Sequence, residues 1–136
     1  DLMERVTELI RRQSEGSKVE FTCMEKAEDI LLYADEGQIS QILINLMKNA
    51  IQAGATKVDL IAEMDAFENV IINVVNNGRP ISKESQEEIF VPFYTTKHEG
   101  TGIGLSLSRQ IMRLHGGTLN LTRSDAKTTV FTLFFK

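Results

Sequence analysis

Between Glu36 and Ala53, the residues Ile39, Ile42, Leu43, Leu46, Met47 and Ala50 recur at spacings of three, one, three, one and three. That spacing draws one stripe along an α-helix, and a strand with its two-residue period would scatter it over both faces. Asp35 with Gln38 three residues on resembles a capping box at the start, and Gly54 suits the C-terminal end. A helix over 36–53 must therefore lay its apolar stripe on another layer of structure. The opposite side carries Gln41, Asn45, Lys48, Asn49 and Gln52, again at helical spacing. This face is either plainly solvated or functional. Solvated faces usually carry Glu and Lys, and asparagine is a mediocre helix former, so two mid-helix asparagines beside a lysine favour a functional face.

The partner layer is legible as strands. Val19-Glu20-Phe21-Thr22-Cys23 alternates, and Ile30-Leu31-Leu32-Tyr33 is a short apolar run consistent with a second strand. Val58, Leu60, Ala62 and Met64 alternate, Asp65 to Asn69 connects, and Val70-Ile71-Ile72-Asn73-Val74-Val75 is nearly continuous apolar, as for a central strand. Asn76-Asn77-Gly78-Arg79-Pro80 then stops that strand and exposes two amides, a pattern shared by ligand sites at strand ends and by plain turns. Ser82 suits the cap of a short helix through Ile89. Towards the C-terminus, Thr118 to Thr122 and Thr128 to Phe135 read as strands joined by a polar hairpin at Ser124-Asp125-Ala126-Lys127, and Gly116-Gly117 turns the chain into the first of them. Leu2, Val6, Leu9 and Ile10 mark a short helix near the N-terminus; the start without Met, inside a helical pattern, suggests a piece of something longer.

Gly100-Thr101-Gly102-Ile103-Gly104-Leu105 sets three glycines at alternate positions before a helix in which Leu107, Ile111 and Leu114 recur. Unpaired backbone N–H groups at a helix start, approached closely across glycine, suit a phosphate, although such runs are also ordinary loops. The aromatics of Phe90-Val91-Pro92-Phe93-Tyr94 anchor the near end of this segment.

Composition excludes several classes. The 136 residues make one domain with one core, and a formal net charge of −4 argues against a general nucleic-acid binder. Cys23 is the only cysteine, so an internal disulfide or thiol metal cluster is ruled out and a reducing compartment is expected; Cys23 itself reads as a packed strand residue. No apolar run approaches the roughly 20 residues of a membrane-spanning helix. The glycine run lacks the Gly-Lys-Ser/Thr of a Walker loop and does not follow a first strand as in a dinucleotide fold.

Read together, these stretches resemble the catalytic and ATP-binding domain of a two-component sensor histidine kinase of the GHKL ATPase superfamily. Gln41 to Ala50 is similar to the asparagine box, Asn76 to Ile81 to the first glycine box, Phe90 to Phe93 to the phenylalanine box and Gly100 to Leu105 to the second glycine box, with Leu114-His115-Gly116-Gly117 closing the helix. The motifs stand in the family's order and cover nearly the whole chain from about residue 19. The resemblance implies an α+β fold of the Bergerat type, a two-layer sandwich whose mixed, mostly antiparallel sheet is covered on one face by helices. It implies ATP with Mg²⁺ as cofactors, Asn49 as the Mg²⁺ ligand, and Asn45 and Lys48 on the same face toward phosphate. Gly100, Thr101, Gly102, Gly104 and Leu105 match the flexible ATP lid, Lys97 is placed to approach the γ-phosphate, and Gly78, Ile81 and Phe93 fall within the matched motifs. Asn76 and, as a weaker match, Thr129 fall near adenine.

The implied reaction transfers the γ-phosphate to a histidine on a separate dimerisation domain, the parent kinase then serving a response regulator. Residues 1–12 are expected to be the remnant of a connecting helix and 13–136 the domain itself, cytoplasmic, with no membrane insertion of its own. His98 and His115 are not the expected acceptors, so the chain alone should bind nucleotide without phosphorylating itself. Two departures stand out. Asn76 occupies the place of an aspartate that accepts from the adenine amino group, weakening that bond by about 1 kcal/mol, and Pro80 replaces a usual glycine. They keep an alternative in view, a docking module of this fold with weak nucleotide binding and no phosphoryl transfer.

Overall fold

The computed structural model describes residue 8 and residues 20–25, 36–86, 89–90 and 104–135. The elements run β1 (Glu20–Glu25), α1 (Glu36–Gln52), β2 (Lys57–Met64), β3 (Val70–Asn76), α2 (Lys83–Gln86), α3 (Gly104–Leu114), β4 (Thr118–Ser124) and β5 (Thr129–Phe135). Of the N-terminal helix predicted from Leu2 to Ile10, Glu8 is described, in helical conformation. The apolar run Ile30 to Tyr33 and the capping residue Asp35 lie outside the described residues.

The five strands form one sheet in the order β1-β2-β3-β5-β4. β1 runs parallel to β2, and every other pair is antiparallel. β3 is the middle strand, as its continuous apolar sequence leads one to expect. Along β3 and β5 alternate residues turn the same way: Val70, Ile72, Val74 and Asn76 are buried, as are Thr129, Phe131, Leu133 and Phe135. That face receives the helices. The opposite face carries a polar ladder in which Thr22 Oγ1 donates to Asp59 and Thr132 Oγ1 donates to Asn73 Oδ1 at 2.7 Å. One packed face and one partly polar face are what alternation in an antiparallel sheet produces.

α1 seals the core. Ile39, Ile42, Leu43, Leu46, Met47 and Ala50 are all within 1% of complete burial, each large side chain contributing about 1.5–3 kcal/mol. Both long helices end alike. Gly54 (φ 82°) and Gly116 (φ 72°) adopt the left-handed conformation, and the residues after them donate back five positions, Ala55 N–H to Ala50 O at 3.0 Å and Gly117 N–H to Met112 O at 2.8 Å. These are Schellman turns, and they reverse the chain directly into β2 and β4.

α3 corrects the sequence reading in its phase. Leu107 and Leu114, grouped with Ile111 by spacing, are 45% and 76% exposed, whereas Ser108, Ile111 and Met112 are buried. The period was right, but a serine and a methionine take the inward side because α3 packs against α1 and β4.

Candidate nucleotide site

The sheet and α1 converge where β3 ends. Arg79 N–H donates to Ala53 O and Arg79 Nη2 to Gln52 O, both at 2.9 Å, so the loop after β3 is fastened to the last carbonyls of α1. Gly78 fits beneath this contact only because it lacks a side chain: a Cβ there would lie 2.9 Å from Ala53 Cβ and 3.1 Å from its carbonyl oxygen. The fastening brings Asn76 toward the C-terminal half of α1, which carries Lys48, Asn49 and Gln52.

Asn76 and Asn77 are neighbours with different fates. Asn77 is exposed, and its carboxamide ties the loop to β2, Oδ1 accepting from Thr56 and Lys57 N–H and Nδ2 donating to Thr56 Oγ1. Asn76 is 6% exposed, and its Oδ1 accepts Gly78 N–H at 2.8 Å. Of the two amides expected at the strand end, one is therefore on the surface and the other is turned inward. Opposite Asn76 in the β3–β5 register stands Thr129, also buried. Ser124 closes this corner: its Oγ accepts Ile81 N–H at 2.8 Å and lies 3.1 Å from Thr129 Oγ1. Asn76, Gly78, Ile81 and Thr129 thus form one corner, joined through a serine that the sequence showed only as part of a polar hairpin.

A second corner lies along α1. Gln41, Lys48 and Gln52 are exposed, and Asn45 and Asn49 are partly buried. Asn45 Nδ2 donates to Ser108 Oγ at 3.4 Å, across to the second turn of α3. The polar face of α1 therefore meets the N-terminal end of the helix that Gly104 and Leu105 begin. Phe93, Lys97, Gly100, Thr101 and Gly102 lie outside the described residues.

Phe90 anchors the segment that precedes them. The Arg109 guanidinium stacks on its ring at 3.8 Å from the centroid, and the ring meets Phe131 edge-on at 6.4 Å. Arg109 also donates from Nε to Leu119 O at 3.1 Å and from Nη2 to Asn120 Oδ1 at 2.9 Å. Burial chiefly, and the Arg113 charge secondarily, push its pKa down. This clamp joins α3, β4 and Phe90, and amphipathic patterning hides it because it assigns an arginine to solvent.

The donor set bears on a metal. Among the described residues no group of three His, Cys, Asp or Glu side chains is placed to hold an ion. The oxygens offered on the polar face of α1 are amide oxygens, a hard donor type that an ion such as Mg²⁺ accepts together with phosphates and water. No described helix is long and apolar enough to cross a membrane.

Known proteins resemble this chain in sequence and in fold. Over 136 residues the chain is 32% identical to the sensor histidine kinase ZraS of Escherichia coli (strain K12), covering 98% of this chain and 29% of that protein. Over 112 residues it is 32% identical to sporulation kinase B of Bacillus subtilis (strain 168), covering 80% of this chain and 26% of that one. The chain thus spans under a third of the curated relatives it matches. Among solved structures, a nucleotide-free catalytic domain of histidine kinase ThkA superposes with a TM-score of 0.85 at 36% identity, covering 98% of this chain and 89% of that one. Full-length ShkA in complex with AMPPNP shares the fold, with a TM-score of 0.87 at 24% identity over 98% of this chain and 29% of that one. Residues 34–136 match the histidine kinase-, DNA gyrase B- and HSP90-like ATPase family, and the chain belongs to it as an ATP-binding catalytic domain of the histidine-kinase type.

Proposed function

We propose that this domain binds Mg-ATP between the polar face of α1 and the segment leading into α3, and presents the γ-phosphate to a histidine on a separate dimerisation and phosphotransfer domain. The observation that carries the reading is the Asn45–Ser108 contact, which brings the asparagine face of α1 to the start of α3. In this reading Asn76, Gly78, Ile81 and Thr129 receive the base. Asn45 and Lys48 face the phosphates, Asn49 supplies the metal's protein oxygen, and Phe93, Lys97 and Gly100 to Leu105 close over them. Mg²⁺, when bound, neutralises phosphate charge. The chain's own residues orient the triphosphate and hold its end toward an incoming imidazole, so that positioning and electrostatics supply the rate. Residues 13–136 make this unit, residues 1–12 belong to a connecting helix, and a response regulator receives the phosphate from the parent protein.

Calorimetry with Mg-ATP on the native chain and on Asn49→Ala tests it. The native chain should release heat on binding, and Asn49→Ala should lose roughly tenfold or more in Mg-dependent affinity. Equal Mg-dependent affinities would remove Asn49 from its role. Absence of binding by the native chain would favour the docking module that Asn76 and Pro80 keep in view. With radiolabelled ATP, γ-phosphate should appear on a separately supplied helical acceptor domain and not on this chain.

A further inference from the structure

The β4–β5 ladder breaks step at one place. From Thr118 to Leu121 the strands pair residue for residue, with Leu121 opposite Phe131; the next pair is Arg123 with Val130, so β4 spends one residue more than β5 and Ser124 arrives opposite Thr129. Had the ladder run on unbroken, Arg123 would stand there. Directly paired residues turn to the same face, and Thr129 lies on the face that receives the helices, 2% exposed. The bulge therefore leaves Arg123 in solvent, where its Nε donates to Asp125 Oδ2 at 2.7 Å, and sends a serine inward. Re-aiming a side chain is what a bulge beside a functional site commonly does.

The exchange matters chemically. An arginine has donors only and could not accept the Ile81 N–H. Ser124 Oγ accepts it at 2.8 Å and also meets Thr129 Oγ1 at 3.1 Å, in a bond in which either hydroxyl can donate. One atom thus holds both the loop after β3 and the buried hydroxyl opposite Asn76. A hydroxyl rotor that is already engaged costs a ligand less ordering than a free one. We propose that Ser124, seated by the bulge, is a positioning residue of the nucleotide site and acts on the nucleotide through Thr129; this rests on the reading that the corner receives the base.

A double-mutant cycle in nucleotide affinity tests it, by calorimetry below the unfolding midpoint of every protein compared. Ser124→Ala should bind Mg-ATP about fivefold more weakly than the native chain, and Mg-ADP, which carries the same base, should lose as much. In the Thr129→Val background the same substitution should cost less than about twofold, because the hydroxyl it serves is gone. A merely structural serine would lower the unfolding midpoint and leave both affinities alone. Unchanged affinity in Ser124→Ala, a full loss in the Thr129→Val background, or a loss confined to Mg-ATP each overturns the inference and leaves nucleotide binding standing. Failure of the native chain to bind Mg-ATP overturns the functional reading itself. Ser124→Cys, close in size and with only a weak sulfur acceptor, carries the same cycle should Ser124→Ala fail to fold.

Discussion

The two faces of α1 are built from one stretch of seventeen residues and do different work. On one, six apolar side chains are sealed to within 1% of complete burial against the sheet and α3. On the other, amides and a lysine sit partly or fully in solvent, with Asn45 reaching across to Ser108 at 3.4 Å. A helix can carry both because burial on one side supplies the stability that mid-helix asparagines do not. The packed face should thus control whether the domain folds, and the amide face what the folded domain binds.

Leu46→Ala presses hardest on the first half of that division. Its side chain is 1% exposed, and removing it should cost about 2–5 kcal/mol in denaturant unfolding, while nucleotide affinity per folded molecule stays within about twofold. A larger loss of affinity would mean that the faces are not separable. Gly78→Ala probes the seam between them. With Ala53 Cβ only 2.9 Å from the new carbon, the loop must shift, costing about 1–3 kcal/mol and lowering nucleotide affinity as well. Lys48→Ala should behave in the opposite way to Leu46→Ala. The side chain is exposed, so the unfolding midpoint should hardly move, by roughly 0.5 kcal/mol at most, while Mg-ATP affinity falls about fivefold and loses part of its salt dependence.

At the β4–β5 turn, off α1 altogether, the expected effect is the smallest. Asp125 accepts from Arg123 Nε at 2.7 Å and from Lys127 and Thr128 N–H, and these bonds, Arg123 first, lower its pKa to about 2. A folded pKa below the unfolded one means stability that is present above the ordinary carboxylate range and lost as pH falls through about 2. An NMR titration of the Asp125 carboxyl carbon should show that midpoint, and Arg123→Ala should raise it toward 3.8.

The sequence disclosed what depends on period and on order. The α1 stripe, the central place of β3 and the turns at Gly54 and Gly116 follow from local pattern, because each is decided within a few residues of itself. The order of the four motifs disclosed the family for the same reason. What escaped depends on partners far along the chain. Ser108 is inward because α1 approaches there, and spacing alone, with Leu107 and Leu114 equally apolar, favours the wrong side. Arg109 is held by Phe90, Leu119 and Asn120. Asn76 and Asn77 are chemically identical, and only the pleat of β3 and the loop's attachment to Ala53 decide which is buried.

The bond from Ile81 to Ser124 has a consequence in time. That amide proton belongs to no ladder and is held by a side chain on the β4–β5 hairpin, so it exchanges with solvent when the hairpin and the loop after β3 part company. Its exchange rate is a clock for the opening of this corner. A nucleotide seated there should slow it.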